Sequence, residues 1–384
     1  MINKISLLLL SAVLPGVIFS AAGAETQLSD RTIKRNVPKK KLLHRISSEL
    51  QAIRDEGEKR RSELGAAAKA DPRLSLKYVH FDAYMLGITS DERKAELAKL
   101  VKRVPVIGLV SYSGINPELI KSEAVEYVAG GKKSAGNHDS FQISEVLQNC
   151  ANLGFAVRIK VYRAENAAQI AQYFLEAGKE CDIVVTYYSF WNATQPMVEA
   201  VAANTQTLYL SPYVEVGQRS TNLSFQSSAR HPDGSGLPNF ATTIPLSANS
   251  DGKLFTPSAR SEHDTETVTF VAPSAYASSP GETCPSSGVS AVVAAYILAC
   301  SEPGGMTPDE VVNLMTSTAA VPEAEMLNLK NFTSRSVADL KDHLAKLTAP
   351  DALGIRRLES KGVLNLWNIY LALAEREAAN RTLP

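Results

Sequence analysis

Cys284 stands at the head of a run, Pro285-Ser286-Ser287-Gly288 and on through Val292-Val293-Ala294-Ala295, in which small and apolar residues dominate. Such a run reads as a buried helix, and a thiol at its amino end is acidified by the helix dipole and needs less help than a hydroxyl to act as a nucleophile. The same Cys also reads as a small buried hydrophobe. Far upstream, His138 precedes residues 141–150, whose apolar spacing is helical, so an imidazole also falls at a helix start. Histidine is the side chain suited to take a proton near neutral pH, although a capping or surface role fits the position as well. Attack by a thiol with imidazole as base is the chemistry this pair permits. Tyr112 closes the apolar run 104–112, Tyr213 lies within 211–217, and Tyr187, Tyr188, Ser189, Phe190 and Trp191 follow the apolar run 183–186.

The elements that must position these residues alternate. Strand-like runs occur at 104–112, 155–161, 183–186, 207–210, 242–246 and 268–271, with helical spacing at 141–150, 167–177 and 196–203. Alternation of this kind predicts right-handed crossovers and a mainly parallel sheet covered on both faces. In open sheets of that kind the site lies beyond the carboxyl ends of the strands, where Tyr112, His138 and residues 211–217 would fall. The C-terminal third is helical, over 285–300, 307–318 and 362–374. Before the alternation, Thr89 and Glu92 have capping-box spacing and predict a helix running to about Arg103. Leu43, Ile46, Leu50 and Ile53 predict another, behind the basic stretch Lys34, Arg35, Lys39, Lys40 and Lys41. Residues 65–72 read as a linker.

Taken in order, several segments resemble the subtilisin-like serine proteases (subtilases). Val271-Ala272-Pro273, then GETCPSSGVSAVVAAYILAC, MTPDEVVNLMTSTA and KGVLNLWNIYLAL are similar to the nucleophile half of that family. IGLVSYSGINPEL at 107–119 resembles the family's strand and turn ending in D-T/S-G-I, and GNHDSFQISEVL at 136–147 resembles its HGTHVAG helix. CDIVVTYYSF is placed like the strand lining the substrate cleft, LYLSPYVEVG like the strand carrying the oxyanion Asn, and TIPLSANSDGKLFTPSA like the strand and hairpin beyond it. The resemblance runs from about Val104 to Leu373. It implies a subtilisin-like α/β fold over 76–384, with a mainly parallel central sheet, helices on both faces and a helical N-terminal extension at 25–75.

The resemblance also implies which residues occupy the catalytic positions. The acid position is Tyr112, and a phenol cannot hold an imidazolium as a carboxylate does; that replacement alone costs on the order of 10⁴ in turnover in a serine enzyme. His138 stands at the base position. Its neighbour Asp139 is expected to project elsewhere and not to replace the acid. The nucleophile position falls on Cys284 or, in the other register, on Thr283; Ser286 and Ser287 lie too far into the helix to serve. Tyr213 or its neighbours fill the oxyanion position, and loss of such a donor typically costs ~10²–10³. Tyr187, Tyr188, Ser189 and Phe190 would line or fill the former substrate cleft, where aromatic anchors suit a peptide-binding surface. The resulting expectation is a pseudoprotease that binds a protein or peptide, the alternative being an endopeptidase that uses Cys284 and His138.

Composition fits one large globular domain with a smaller appendage: 384 residues, 45% hydrophobic and 21% charged. Lys+Arg and Asp+Glu both total 40, so no global charge argues for nucleic acid or an anionic membrane. No HExxH, CxxC pair, carboxylate cluster or phosphate loop calls for a metal or other cofactor. Lys4, the apolar run 5–19 and Ala22-Gly23-Ala24 have the layout of a secretory signal peptide over 1–24, which predicts an exported, periplasmic or secreted protein with no membrane span after cleavage. In such a compartment disulfides are allowed. Cys284 and Cys300 would bracket one helix about 24 Å apart and cannot pair. A Cys150–Cys181 bond is the simplest remaining pairing.

Overall fold

The structure is a computed structural model. It describes residues 45–46, 85–112, 120–129, 138–187, 194–213, 229, 236–248, 254–255, 268–273, 284–321, 341–342, 344–345, 349, 358–360 and 362–382. The signal-peptide and linker readings, nearly all of 25–75, and the site residues Thr283, Tyr188, Ser189 and Phe190 lie outside them.

Seven parallel strands form the central sheet: β2 (Val106–Ser111), β4 (Val125–Ala129), β5 (Arg158–Arg163), β6 (Ile183–Val185), β7 (Leu208–Pro212), β8 (Phe240–Ala248) and β10 (Phe270–Pro273). Their spatial order is β10-β8-β7-β6-β2-β5-β4. The chain therefore lays β4 and β5 on one side of β2, then returns and builds outward from β6 on the other. That reversal is a topological switch point, and it lies between β2 and β6. Two short antiparallel pairs complete the strands among the described residues: β1 (Arg45–Ile46) with β3 (Ile120–Lys121), and β9 (Leu254–Phe255) with the end of β8. The second pair is the hairpin expected from 243–259. At Arg45 and Ile46, where helical spacing was expected to continue, the backbone is a strand; pairing with β3 supplies its hydrogen bonds.

Helices cover both faces of this α/β sheet. On one face lie α1 (Asp91–Lys99), α2 (His138–Asn152), α5 (Cys284–Cys300), α6 (Pro308–Thr318) and α7 (Leu366–Thr382), which share one core with Ile107, Leu109, Ile159, Val185 and Leu210. On the other, α3 (Ala167–Glu180) and α4 (Thr194–Ala203) cover Val110, Tyr162, Val184 and Tyr209. Successive strand residues thus alternate between two cores, as period-two geometry requires. The expected mainly parallel, doubly covered sheet is what the structure has. The helix starts differ in detail. Ser90 caps α1, its Oγ accepting from Arg93 N at 3.1 Å, in place of the expected Thr89. Thr307 caps α6 in a reciprocal box with Glu310. Gly362 is required where it stands, since a Cβ there would be 2.4 Å from the carbonyl carbon of Ala320. Among the described residues no helix is long and apolar enough to cross a membrane.

The Cys150–Cys181 bond is not formed, and none of the four cysteines is in a disulfide. The cause is topological: Cys150 is buried in the core on the α2 side, Cys181 in the core on the α3 side, and the sheet lies between. Cys284 and Cys300 do sit at the two ends of one helix.

An ion pair ties the amino edge of the sheet together. Arg103 Nη1 donates to Asp182 Oδ1 at 2.9 Å, and Asp182 Oδ2 accepts from Val106 N at 2.8 Å. Arg103 Nε also donates to Leu298 O at 2.8 Å, one of the last carbonyls of α5, where a cation complements the helix dipole. Both side chains are largely shielded, at 8% and 14% exposure. Removing one partner leaves the other charge shielded and uncompensated, a loss of roughly 3–5 kcal/mol for a fully buried pair. Asp182→Ala is accordingly expected to lower unfolding stability by about 3 kcal/mol in a urea titration; a change below about 1 kcal/mol would mean that this pair does not hold the edge.

Candidate functional site

Because all seven central strands run the same way, their carboxyl ends share one edge, and α2 and α5 both start there. β2 ends at Ser111, on the side of Ile107 and Leu109, which is the side α2 covers. Ser111 Oγ donates to Asp139 Oδ2 in the first turn of α2, and both residues are fully buried. Asp139, expected to project elsewhere, instead contacts the residue before Tyr112. Tyr112 itself is 48% exposed, one of the few large hydrophobic side chains exposed among the described residues.

Tyr187, two residues beyond β6, is buried on the other side of the switch point. Burial pushes its phenol well above the ordinary value, and the charges of Asp139, Glu145 and Cys284 push it the same way. Those three groups therefore lie within electrostatic reach of one hydroxyl. Cys284 is the half-buried first residue of α5, and His138 is the first residue of α2. The serines behind Cys284 are committed to structure. Ser286 Oγ donates to Thr243 O at 3.2 Å, and Ser287 Oγ donates to Thr186 O at 3.2 Å and to Cys284 O at 2.8 Å. Tyr213 follows β7, is buried, and its amide donates to Thr243 O at 2.9 Å as a continuation of the sheet.

The edge thus brings together Ser111, Asp139, Tyr187 and Cys284, with Tyr112 beside them. Ser111 is not among the residues the sequence singles out, and Asp139 is named there only as projecting elsewhere. The available signal was strand alternation, which gives Ser111 the parity of Leu109 and so the face toward α2. Chemically the arrangement offers a thiol at a helix start, a buried carboxylate and a buried phenol. Two of the other thiols lie in the two cores. Burial raises Cys150 well above the usual thiol range and Cys181 to about 12, so neither forms a thiolate readily.

No protein-family model matches the sequence, and no curated protein sequence matches it. Solved structures are similar at low identity. The S41 psychrophilic protease is 15% identical with a TM-score of 0.41, covering 57% of this chain and 84% of that one. Fervidolysin from Fervidobacterium pennivorans, a keratinolytic enzyme related to subtilisin, is 12% identical with a TM-score of 0.44, covering 73% of this chain and 44% of that one. The A-subunit of the AB5 toxin from E. coli is 12% identical with a TM-score of 0.45, covering 79% of this chain and 99% of that one. Likenesses this remote carry no residue roles.

Tyr187 makes a pH prediction. Its folded-state phenol titrates above its unfolded value of about 10, so the folded state holds that proton more tightly. The contribution is fully present below pH 10 and is lost as pH rises beyond it. Tyr187→Phe is expected to flatten the fall in unfolding free energy measured between pH 9.5 and 11, and an unaltered slope would place the hydroxyl in contact with solvent.

Proposed function

We propose that this chain is a subtilisin-like pseudoprotease, exported to the periplasm or the outside, that binds a protein or peptide at the carboxyl edge of its sheet. The observation that carries the reading is the state of the acid position. Tyr112, which the sequence resemblance puts there, is half exposed, while the nearby carboxylate, Asp139, is buried and accepts a hydrogen bond from Ser111. A serine-protease mechanism needs that carboxylate on the histidine, a hydroxyl nucleophile and a donor for the oxyanion. Cys284, which the sequence resemblance puts at the nucleophile position, is a thiol, Ser286 and Ser287 are bound to backbone carbonyls, and Tyr213 lies in the buried sheet extension. An exposed tyrosine beside a strand end suits the anchoring of a bound chain. Balanced charge gives no support to a nucleic-acid partner.

One observation favours a second reading, an endopeptidase using Cys284 with His138. Cys284 is only half buried and opens a 17-residue helix, a setting that favours thiolate. Hydrolysis of a mixed peptide set by the purified protein, with and without iodoacetamide, separates the two. The pseudoprotease reading predicts no cleavage above a heat-denatured control, with alkylation in the folded state confined to Cys284. Cleavage abolished by both iodoacetamide and Cys284→Ala would replace it with the cysteine enzyme.

A further inference from the structure

One turn below the candidate residues, the seam between α2 and α5 holds an acceptor that is not satisfied. Gln142 is 5% exposed, and its Oε1 is buried with no hydrogen-bond partner among the described residues. Opposite it on α5 is Gly288. A Cβ built there would have Val146 Cγ2 at 3.5 Å, Gln142 Oε1 at 3.6 Å and Tyr187 Oη at 3.6 Å, so an amide oxygen and a phenol oxygen look into the space that glycine leaves clear. An orphaned buried acceptor is costly, and so is glycine inside a helix compared with alanine. Two such costs at one spot in a close-packed core point to something that offsets both.

We propose that a water molecule is bound in this seam, donating to Gln142 Oε1 and hydrogen-bonded to Tyr187 Oη, as a fixed spacer between α2 and α5. A buried water needs two or more polar partners and a polar setting. Both are present, since the charges of Asp139 and Glu145 reach the same phenol and favour a donor. Gln142 is four residues after His138 and Gly288 four after Cys284, about one turn down each helix. The spacer therefore sets how far apart the two helix starts stand. Its relevance to function rests on the site proposed above, but its presence does not.

Gly288→Ala and Gln142→Leu in the full chain give opposite signs for a wet and a dry seam. With the water, alanine displaces it and leucine removes its acceptor, and both variants lower the urea midpoint. In a dry seam alanine makes only ordinary contacts and is the better helix former, while leucine removes an unsatisfied oxygen, and both raise it. A midpoint that rises or does not move in either variant overturns the proposal. Failure of the peptide-binding reading would leave these midpoints untouched, so the two ideas fail separately.

Discussion

The burial of α5 is the constraint on which the rest of the structure depends. From Ser286 to Cys300 every residue of this helix is buried, and it touches β2, β6, β7, β8 and β10 as well as α2, α6 and α7. A helix apolar all round has no solvent face to offer, so a complete shell must form around it. Small residues let the sheet and α2 approach closely. The polar groups that remain are satisfied: Ser290 Oγ is hydrogen-bonded with Thr243 Oγ1 at 3.0 Å, and Tyr296 donates to Leu97 O at 3.1 Å. Arg103 then holds the carboxyl end of the helix at the amino edge of the sheet. With that end fixed, the other end, at Cys284, is delivered to the opposite edge.

What stands at that edge follows from the strand order. Reversal of the chain between β2 and β6 leaves the ends of those two strands as the rim of a crevice, and α2 and α5 begin beside it. The geometry brings Ser111, Asp139, Tyr187 and Cys284 to one place whatever their chemistry. Function is decided by the residue types, and here they combine a buried carboxylate, a buried phenol and a thiol with an exposed tyrosine at the rim.

The parts of this arrangement that sequence made legible are those with a strong period. β-branched runs such as Ile183-Val184-Val185 and the small-residue run of α5 declared their type and order. β4 was not read, because Val125–Ala129 is an edge strand with an exposed Glu126 and no continuous apolar run. The proposed Cys150–Cys181 bond failed because the side of the sheet on which a residue packs is a property of topology, not of spacing. Asp139 was misjudged for a related reason. Its direction depends on which face of α2 meets the sheet, and a helix with buried polar residues on several sides, among them Asp139, Ser140, Gln142, Ser144 and Glu145, hides that face.

The binding site proposed for this protein is the carboxyl edge at the β2/β6 switch point. Hydrogen exchange of the full chain, read by mass spectrometry with and without a saturating mixture of unstructured peptides, tests it most directly. The account predicts new protection at the ends of β2 and β6 and at the starts of α2 and α5, with the amino edge around Arg103 and Asp182 unchanged. Protection confined to the amino edge, or to none of these segments, would contradict it.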